Sequence, residues 1–336
     1  MKAIVYHSYG PPEVLQLEEM ERPVPGEHEV LIKVRASSVN PYDWHFIRGT
    51  PHFVRLMAGL RQPRDTRVGV DVAGRVEAVG KNVTQFTPGD EVFGSCRGAF
   101  AEYACASEAA LAKKPDNVTF EQAASVPLAA LTALQGLRDK GKIQRGQKVL
   151  INGAAGGVGT FAVQIAKSFG TEVTGVCSTR NVEMVRSIGA DHVIDYTKED
   201  FTKSGQRYDL FLDCFGNHSL FACKRVLNPK GTYVGAGGGA IHPEDFATVR
   251  WMIGLLARSI TQLVLPLFVG QRLVGLLAKR SKGDLMLMCD LMKAGKVTPV
   301  IDRRYRLSGV PEAIRYLEQG HARGKVVIVL EPDNPC

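Results

Sequence analysis

Residues 148–167, KVLINGAAGGVGTFAVQIAK, combine a short apolar strand pattern, a glycine-rich turn and a helical run. Such a turn lets backbone N–H groups approach a pyrophosphate, which then lies at the positive end of the helix dipole. Ala154, Gly156 and Gly159 fill the G-x-G-x-x-G spacing with alanine in the first place, and a second predicted strand ends about 20 residues later, as the dinucleotide fingerprint requires. The stretch therefore predicts a dinucleotide-binding βαβ unit rather than an ordinary tight turn.

The end of that second strand bears on which dinucleotide binds. NAD enzymes usually place Asp or Glu there to accept from the ribose 2′-hydroxyl, whereas this chain has Val176-Cys177-Ser178-Thr179-Arg180. An arginine can clamp a 2′-phosphate with paired, charge-assisted bonds. NADPH is therefore the predicted cofactor. The alternative is that Ser178 caps the next helix and Arg180 points to solvent.

Strand and helix signals alternate from KVLIN at residue 148 to GTYVGAG at residue 231, which predicts βαβ units and a parallel sheet. The first hundred residues are instead short β-branched runs separated by Pro-Gly and Gly-Asp turns. The closing strand pattern, KVVIVL, lacks a following helix and is predicted to return to the N-terminal β domain. The predicted fold class is α/β, with a β-rich domain at 1–121 and 299–336 and a doubly wound Rossmann domain at 122–298.

Composition excludes several classes of protein. The 336 residues are 45% hydrophobic and 23% charged, an ordinary globular balance that argues against disorder and fibrous repeats. The net charge of +8 is dispersed without a run of five or six like charges, so the basic excess indicates a solvated surface and no nucleic-acid partner is expected.

Cysteine usage and hydropathy indicate the compartment. Seven cysteines without a CxxC pair support neither a disulfide framework nor paired metal ligands, which fits a reducing, cytoplasmic environment. The start of the chain lacks a signal-peptide core. The most apolar stretch, 251–278, is interrupted by Arg258, Pro266 and Arg272 among others, so we predict no transmembrane segment and assign this stretch to core helices or a dimer surface.

Several phrases, in this order and spacing, resemble the medium-chain dehydrogenase/reductase superfamily, and most of all its zinc-independent, quinone oxidoreductase-like branch. They are SVNPYDW (38–44), GVDVAGRVEAVG (69–80), PGDEVFG (88–94), AFAEYACA (99–106), AASVPLAALTAL (123–134), INGAAGGVGTFAVQIAK (151–167), GADHVIDY (189–196) and HARGKVVI (321–328). The resemblance covers essentially the whole chain and is weakest over about 240–280. It implies that the N-terminal β domain is GroES-like.

The chain departs from the zinc-dependent relatives at their metal ligands. Those relatives carry a catalytic Cys where this chain has Asn40, and Gly-His-Glu where it has Gly69-Val70-Asp71. Of their four-cysteine lobe, only Cys96 and Cys105 fall in the corresponding region. Catalytic zinc needs three protein ligands and structural zinc needs four, so the expectation is that no metal binds.

The resemblance also implies cofactor contacts. Gly156, Gly157, Val158 and Gly159 would hold the pyrophosphate, and Ser178 and Arg180 the 2′-phosphate. Tyr196 would lie near the same phosphate, unless it is a core aromatic residue. The other positions that match cofactor contacts of the family are Thr132 beside the nicotinamide, Cys214 and Phe215 on the adenosine side, Ala236 and Gly237 near the nicotinamide ribose, and His321, Ala322 and Arg323 in a loop that returns to the cofactor.

The acceptor side is less well defined. Asn40 and Asp43 match a pair in the wall of the family's site, although Asp43 could instead brace its loop by bonding backbone amides. Many relatives place a tyrosine where this chain has Pro51. Tyr42, His45 or His52 could substitute, and His45 is the candidate proton donor because histidine can deliver a proton near neutral pH.

These observations together predict an NADPH-dependent oxidoreductase that passes a hydride to a quinone or an α,β-unsaturated carbonyl without zinc. The expected partners are a small-molecule electron acceptor and a second copy of the chain in a homodimer. Two alternatives stay open: a 2-enoyl-thioester reductase, and an NADPH-binding protein without catalysis that associates with RNA or a membrane.

Overall fold

The computed structural model describes residues 1–236 and 270–330. The predicted cofactor residue Gly237 and most of the apolar stretch from Trp251 lie outside them. Within the described residues the chain forms two units. Unit 1 consists of Met1–Leu131, Arg280–Gly295 and the chain from Pro299 onward, and unit 2 of Thr132–Lys279 and Lys296–Thr298. The domain joints predicted at 121/122 and 298/299 remain a prediction.

Fifteen strands and nine α-helices are described within these two ranges. Before the glycine-rich turn they are β1 (Lys2–Val5), β2 (Gln16–Glu19), β3 (Glu29–Val39), α1 (Pro41–Arg48), α2 (Phe53–Ala58), β4 (Asp71–Val79), β5 (Glu91–Ser95), β6 (Tyr103–Ser107), β7 (Leu111–Lys113), α3 (Phe120–Ala124), α4 (Pro127–Leu134) and β8 (Lys148–Asn152). After it they are α5 (Gly157–Ser168), β9 (Glu172–Cys177), α6 (Val182–Ser187), β10 (His192–Asp195), β11 (Tyr208–Asp213), α7 (Leu220–Arg225), β12 (Leu227–Gly235), β13 (Arg272–Gly275), α8 (Lys282–Lys293), β14 (Ile301–Arg306), α9 (Val310–Glu318) and β15 (Lys325–Val329).

Unit 1 is built on a seven-stranded sheet in the order β14-β15-β3-β4-β5-β7, with β6 also paired to β3. The long strand β3 is buried over most of its length because it lies inside this sheet. Strand β15 pairs antiparallel with β3, Val326 opposite Val39. The closing strand thus returns to the N-terminal β-rich unit, as its sequence predicts.

Unit 2 is built on a six-stranded parallel sheet in the order β10-β9-β8-β11-β12-β13. Counted along the chain, this is the 3-2-1-4-5-6 order of a doubly wound Rossmann sheet. Strand β8 and helix α5 are buried along almost their whole length, because helices cover the faces of a parallel sheet. The predicted α/β fold class is confirmed.

None of the helices in the described ranges is long and apolar enough to cross a membrane.

Candidate functional site

The glycine-rich turn of unit 2 uses its glycines in two different ways. Gly153 adopts a φ of +78°, in the region where a Cβ is strained. Gly159 packs so closely on the turn that a Cβ would come 2.0 Å from the carbonyl oxygen of Gly153. At Gly156 the nearest atom to an added Cβ would be that same oxygen at 3.4 Å. Close packing therefore requires glycine at position 159, whereas the glycine at position 156 leaves the backbone open to a ligand.

The first turn of α5 presents backbone donors at this point. The first helical bond runs from the Thr160 amide to the Gly156 carbonyl oxygen at 3.0 Å, so the amides of Gly157, Val158 and Gly159 come before the helical ladder begins. Such amides, with the helix dipole behind them, bind phosphate oxygens. The turn therefore fits the pyrophosphate of a dinucleotide.

The strand register brings the predicted cofactor residues of unit 2 to one edge of the sheet. Asn152 at the end of β8 lies opposite Val176 in β9 and Asp213 in β11, and Asp213 lies opposite Gly235 in β12. Four predicted residues follow these strand ends directly: Ser178, Tyr196, Cys214 and Ala236. The carboxyl edge is where ligands of doubly wound sheets bind.

Three predicted cofactor residues, Ser178, Arg180 and Tyr196, follow strands β9 and β10 at this edge. Ser178 stands at the N-cap position of the following turn but makes no side-chain cap bond to it, and its hydroxyl oxygen accepts from the Asn181 side-chain amide at 3.2 Å. The roles of Ser178 and Arg180 stay predictions. Arg180 is exposed. The Tyr196 side chain is 56% exposed, which contradicts the alternative of a core aromatic residue.

Asp195 is the carboxylate at this end, and the sequence analysis did not single it out. It accepts from the hydroxyls of Thr179 at 2.6 Å and Thr197 at 2.7 Å. The Thr179 bond, with further bonds from Thr197 and Lys198, lowers the pKa of Asp195 to about 2, so it is ionised at neutral pH. It ties the loops after β9 and β10 together.

Asp213 organises the other half of the edge and was also missed. Its buried carboxylate accepts from the Asn152 side-chain amide at 3.0 Å, from the Gly216 amide at 2.8 Å and from the Tyr233 hydroxyl at 2.9 Å. These bonds hold the loop that carries Cys214 and Phe215. Burial raises the pKa of the Cys214 thiol. The available signal was an acidic residue at the end of an apolar strand pattern, YDLFLD.

Unit 1 contains a buried polar cluster, defined here as Ser38, Asn40, Asp43, Asp71 and Lys325, each of them at most 3% exposed. Its centre is the Asp71 carboxylate. Oδ2 accepts from the Ser38 hydroxyl at 2.8 Å and from the Asn40 side-chain amide at 2.9 Å, and Oδ1 accepts from the Leu128 amide at the start of α4 at 3.1 Å. The cluster thus joins residues far apart in the sequence.

Asp43 bonds its own loop and retains one unbonded oxygen. Oδ2 accepts from the Asn40 backbone amide at 2.7 Å, which is the bracing role left open by the sequence. Oδ1 is buried and has no hydrogen-bond partner among the described residues. Burial, with a further contribution from the charge of Asp71, raises the pKa of Asp43 to about 8. The carboxyl is therefore mostly protonated at neutral pH.

His45 lies in the same helix, and its ring bonds outside the cluster. Nδ1 is 2.8 Å from the Thr50 carbonyl oxygen, and because that oxygen only accepts, Nδ1 carries the proton. Burial lowers the pKa of His45. The ring is then neutral near pH 7 and Nε2 carries no proton to donate.

The remaining predicted cofactor residues are distributed over both units. Thr132 is half-buried in α4. In the loop before β15, Ala322 is half-buried while His321 and Arg323 are exposed, and the Arg323 amide donates to Asp302 at 2.8 Å. Their roles remain predictions.

The positions of the metal ligands in zinc-dependent relatives hold a different arrangement here. Asn40 and Asp71 are hydrogen-bonded to each other, and the Lys325 ammonium lies 2.5 Å from Asn40 Oδ1 and 3.7 Å from Asp71 Oδ2. Across residues 1–236 and 270–330, no group of three or more His, Cys, Asp or Glu is placed to hold a metal ion. Lys325 was missed, although a lysine directly before the apolar run VVIV was a usable signal.

Comparisons with known proteins agree with this architecture. Residues 26–116 match the family described as "Alcohol dehydrogenase GroES-like domain", and residues 188–328 match "Zinc-binding dehydrogenase". The chain is 35% identical to an NADPH-dependent alkenal/one oxidoreductase, chloroplastic, of Arabidopsis thaliana, over 98% of this chain and 79% of that protein. The structure of the quinone oxidoreductase from Coxiella burnetii is similar, with a TM-score of 0.82, 31% identity and coverage of 98% and 99% of the two chains. The CurK enoyl reductase structure matches with a TM-score of 0.83, 26% identity and the same coverage.

Proposed function

This chain belongs to the medium-chain dehydrogenase/reductase family, in its quinone oxidoreductase-like group, and on that premise we propose that it is an NADPH-dependent reductase of quinones or α,β-unsaturated carbonyls that acts without zinc. Membership makes it an oxidoreductase that uses a nicotinamide cofactor. The observation that carries the finer proposal is the end of β9, where Ser178 and Arg180 stand in place of the carboxylate typical of NAD enzymes.

The 2′-phosphate is the feature that separates NADPH from NADH. The Arg180 guanidinium and the Ser178 hydroxyl can both donate to phosphate oxygens, and the exposed Tyr196 ring lies after the neighbouring strand. The ionised Asp195 carboxylate opposes a second negative charge, but it is already bonded to two threonine hydroxyls. The donors at the strand end therefore favour NADPH.

NADPH, when bound, supplies the hydride. Gly156, Gly157, Val158 and Gly159 would hold its pyrophosphate, with Cys214, Phe215 and Ala236 at the same sheet edge and Thr132, His321, Ala322 and Arg323 as further predicted contacts. The chain's task is to orient the cofactor and the acceptor and to exclude water.

We infer the source of the proton in the proposed reaction from the hydrogen bonding of Asn40, His45 and Asp43 in unit 1. Both amide hydrogens of Asn40 are engaged, with Ser38 O at 3.2 Å and Asp71 at 2.9 Å, so Asn40 shapes the acceptor side and donates no proton. Neutral His45 has only Nδ1–H, which bonds Thr50. Asp43 holds a proton at neutral pH. A reduced quinone is stable enough to take its protons from water, so this chemistry suits the chain.

A 2-enoyl-thioester reductase is the second candidate, favoured by the similarity to the CurK enoyl reductase. That reaction gains more from an acid that protonates the enolate carbon. Pro51 stands where many relatives have a tyrosine, so Asp43 would have to supply the proton. We therefore rank this reaction below quinone and enone reduction.

The homodimer and the cytoplasmic location are kept as proposals. Strand β13 ends the six-stranded sheet within the described residues, and an edge strand is a surface on which a second copy can pair. Light scattering coupled to size exclusion tests this, and a monomer would contradict it.

The test of the proposed function measures cofactor and acceptor separately. Wild type, Ser178→Ala and Arg180→Ala are titrated with NADPH and NADH, and Arg186→Ala, an exposed arginine of α6 paired with Glu183, serves as the matched control. We expect Arg180→Ala to weaken NADPH binding about 10–100-fold, the scale of a hydrogen bond to a charged group, with NADH binding little changed. A wild-type preference for NADH would overturn the cofactor assignment.

The acceptor is then identified from NADPH oxidation at 340 nm with 1,2-naphthoquinone, a small enone and an enoyl-CoA. Rapid oxidation by the quinone or the enone is the expected result. Oxidation by the enoyl-CoA alone would establish the second candidate in its place, and tight NADPH binding without oxidation by any of the three would contradict both reductase assignments.

A further inference from the structure

Lys325 is a charged residue in a position that normally excludes charge. Its side chain is 3% exposed at the start of β15, and Val326, Val327 and Ile328 after it are fully buried. Fully buried lysines are rare because transfer of an ammonium out of water is costly unless it is paired and hydrogen-bonded. Its environment must therefore compensate the charge.

Three oxygens surround the ammonium. Nζ lies 2.5 Å from Asn40 Oδ1, 3.5 Å from the Val39 carbonyl oxygen and 3.7 Å from Asp71 Oδ2. The ammonium therefore donates to Asn40 and Val39 and forms an ion pair with Asp71. Burial lowers the pKa of Lys325, and the charge of Asp71 opposes that shift.

The charges of the cluster balance. Burial raises the pKa of Asp43 to about 8, so Asp71 and Lys325, 3.7 Å apart, are the two groups of opposite charge in the cluster. Burial also raises the pKa of Asp71, and the Lys325 charge opposes that shift. A buried ion pair is tolerated when its remaining donors and acceptors are satisfied. Asp71 meets this condition through Ser38, Asn40 and the Leu128 amide.

The pair also determines which way Asn40 faces. Its side-chain nitrogen donates to Asp71 and Ser38, and its oxygen accepts from Lys325. In the flipped rotamer the two N–H groups would face the ammonium and the oxygen would face a carboxylate. Orientation of Asn40 thus depends on having a cation at Lys325 and an anion at Asp71.

We propose that Lys325 and Asp71 are positioning residues that perform, with an internal ion pair, the organising task that a metal ion performs in zinc-dependent relatives. The pair orients Asn40 and holds the first turn of α4 through the Leu128 amide. The test of this inference by enzyme turnover rests on the proposed function, whereas its test by hydrogen exchange does not.

The experiment compares Lys325→Met, Asp71→Asn and the double variant in the full chain. The matched control is Lys114→Met, which removes another lysine of unit 1, whose side chain is 6% exposed and pairs with Glu91 at 3.0 Å. Each variant is assayed for turnover, for NADPH affinity and for hydrogen exchange in peptides that cover residues 126–134.

Lys325→Met leaves the Asp71 charge buried and unpaired. We expect turnover to fall roughly 10–100-fold, the range for loss of groups that orient the ligands of a metal site, with faster exchange at the Leu128 amide and little change in NADPH affinity. Adding Asp71→Asn removes the unpaired charge, and its side-chain oxygen can still accept from the Asn40 side-chain amide. The double variant should therefore recover part of both losses. Lys114→Met should change neither turnover nor hydrogen exchange.

Three results would overturn the inference: full turnover and unchanged exchange in Lys325→Met, a double variant no better than Lys325→Met, or equal loss in Lys114→Met. If Lys325→Met does not fold, Lys325→Gln keeps a donor without the charge, and its rescue by Asp71→Asn is scored in the same way. If wild type reduces no acceptor, the proposed function fails while the exchange comparison still tests the pair.

Discussion

The glycine-rich edge of unit 2 consists mainly of backbone groups, whereas the buried polar cluster of unit 1 consists of side chains. The edge uses backbone amides and the ends of neighbouring parallel strands, with glycine wherever a side chain would intrude. The cluster uses polar and charged side chains, almost fully removed from water, from three separate parts of the chain.

This difference separates two ways of preparing a site. Backbone amides at a helix start are held by the helix itself, so the edge tolerates changes in side chains but not in the space around its glycines. Buried charges depend on each other, so loss of one leaves the next uncompensated. Changes of charge and pH should therefore affect the cluster, whereas added side-chain volume should affect the edge.

The largest effect of volume is expected at Gly159. Gly159→Ala places a Cβ 2.0 Å from the Gly153 carbonyl oxygen, and backbone must move to admit it. Overpacking of this kind costs about 1–3 kcal/mol or more, so we expect a lower denaturation midpoint together with loss of NADPH binding. Chemical denaturation and a binding titration check this. Wild-type values for both would show that the turn relaxes easily.

A smaller effect, confined to binding, is expected at Gly156. Its φ of −82° and ψ of 177° suit alanine, and a Cβ would meet only the Gly153 oxygen at 3.4 Å. Gly156→Ala should keep the denaturation midpoint while weakening NADPH binding about tenfold, or about 1.4 kcal/mol, because the methyl occupies the open side of the turn. If Gly156→Ala lost stability as Gly159→Ala does, the two glycines would not have separate tasks.

The effect expected from Asp43→Asn depends on pH and vanishes near pH 4. The pKa of Asp43 is about 8 in the folded protein, above its usual value of 3.8, so the folded state keeps a proton that the unfolded state releases. Stability is then lost as pH rises from about 4 to about 8. Asparagine mimics the protonated acid and can accept the same bond from the Asn40 amide.

Thermal melts of Asp43→Asn and wild type should therefore coincide near pH 4 and diverge as the pH rises to about 8, with the variant melting higher. A variant that melts lower than wild type at pH 9 would mean that the ionised carboxylate stabilises the fold, and that the cluster carries one more negative charge than proposed.

The local sequence was sufficient to predict the structure where one continuous segment forms it. KVLINGAAGGVGTFAVQIAK predicted the turn and the strand and helix on either side of it, because their spacing follows from backbone geometry. The family resemblance also predicted Ser178, Tyr196, Cys214 and Ala236 as cofactor residues, and these follow the ends of β9, β10, β11 and β12. Asp195 and Asp213 were not predicted, because their partners lie on other strands.

The sequence by itself determined the class of fold, the family and the dinucleotide turn, because these depend on periodicity and on residues adjacent in the chain. Only the tertiary structure decided that Asn40 and Asp71 bond each other beside a lysine, that burial raises the pKa of Asp43, and that His45 bonds Thr50. Those properties depend on burial and on contacts between residues as far apart as Asn40 and Lys325, and it is packing of β15 against β3 that brings this pair together.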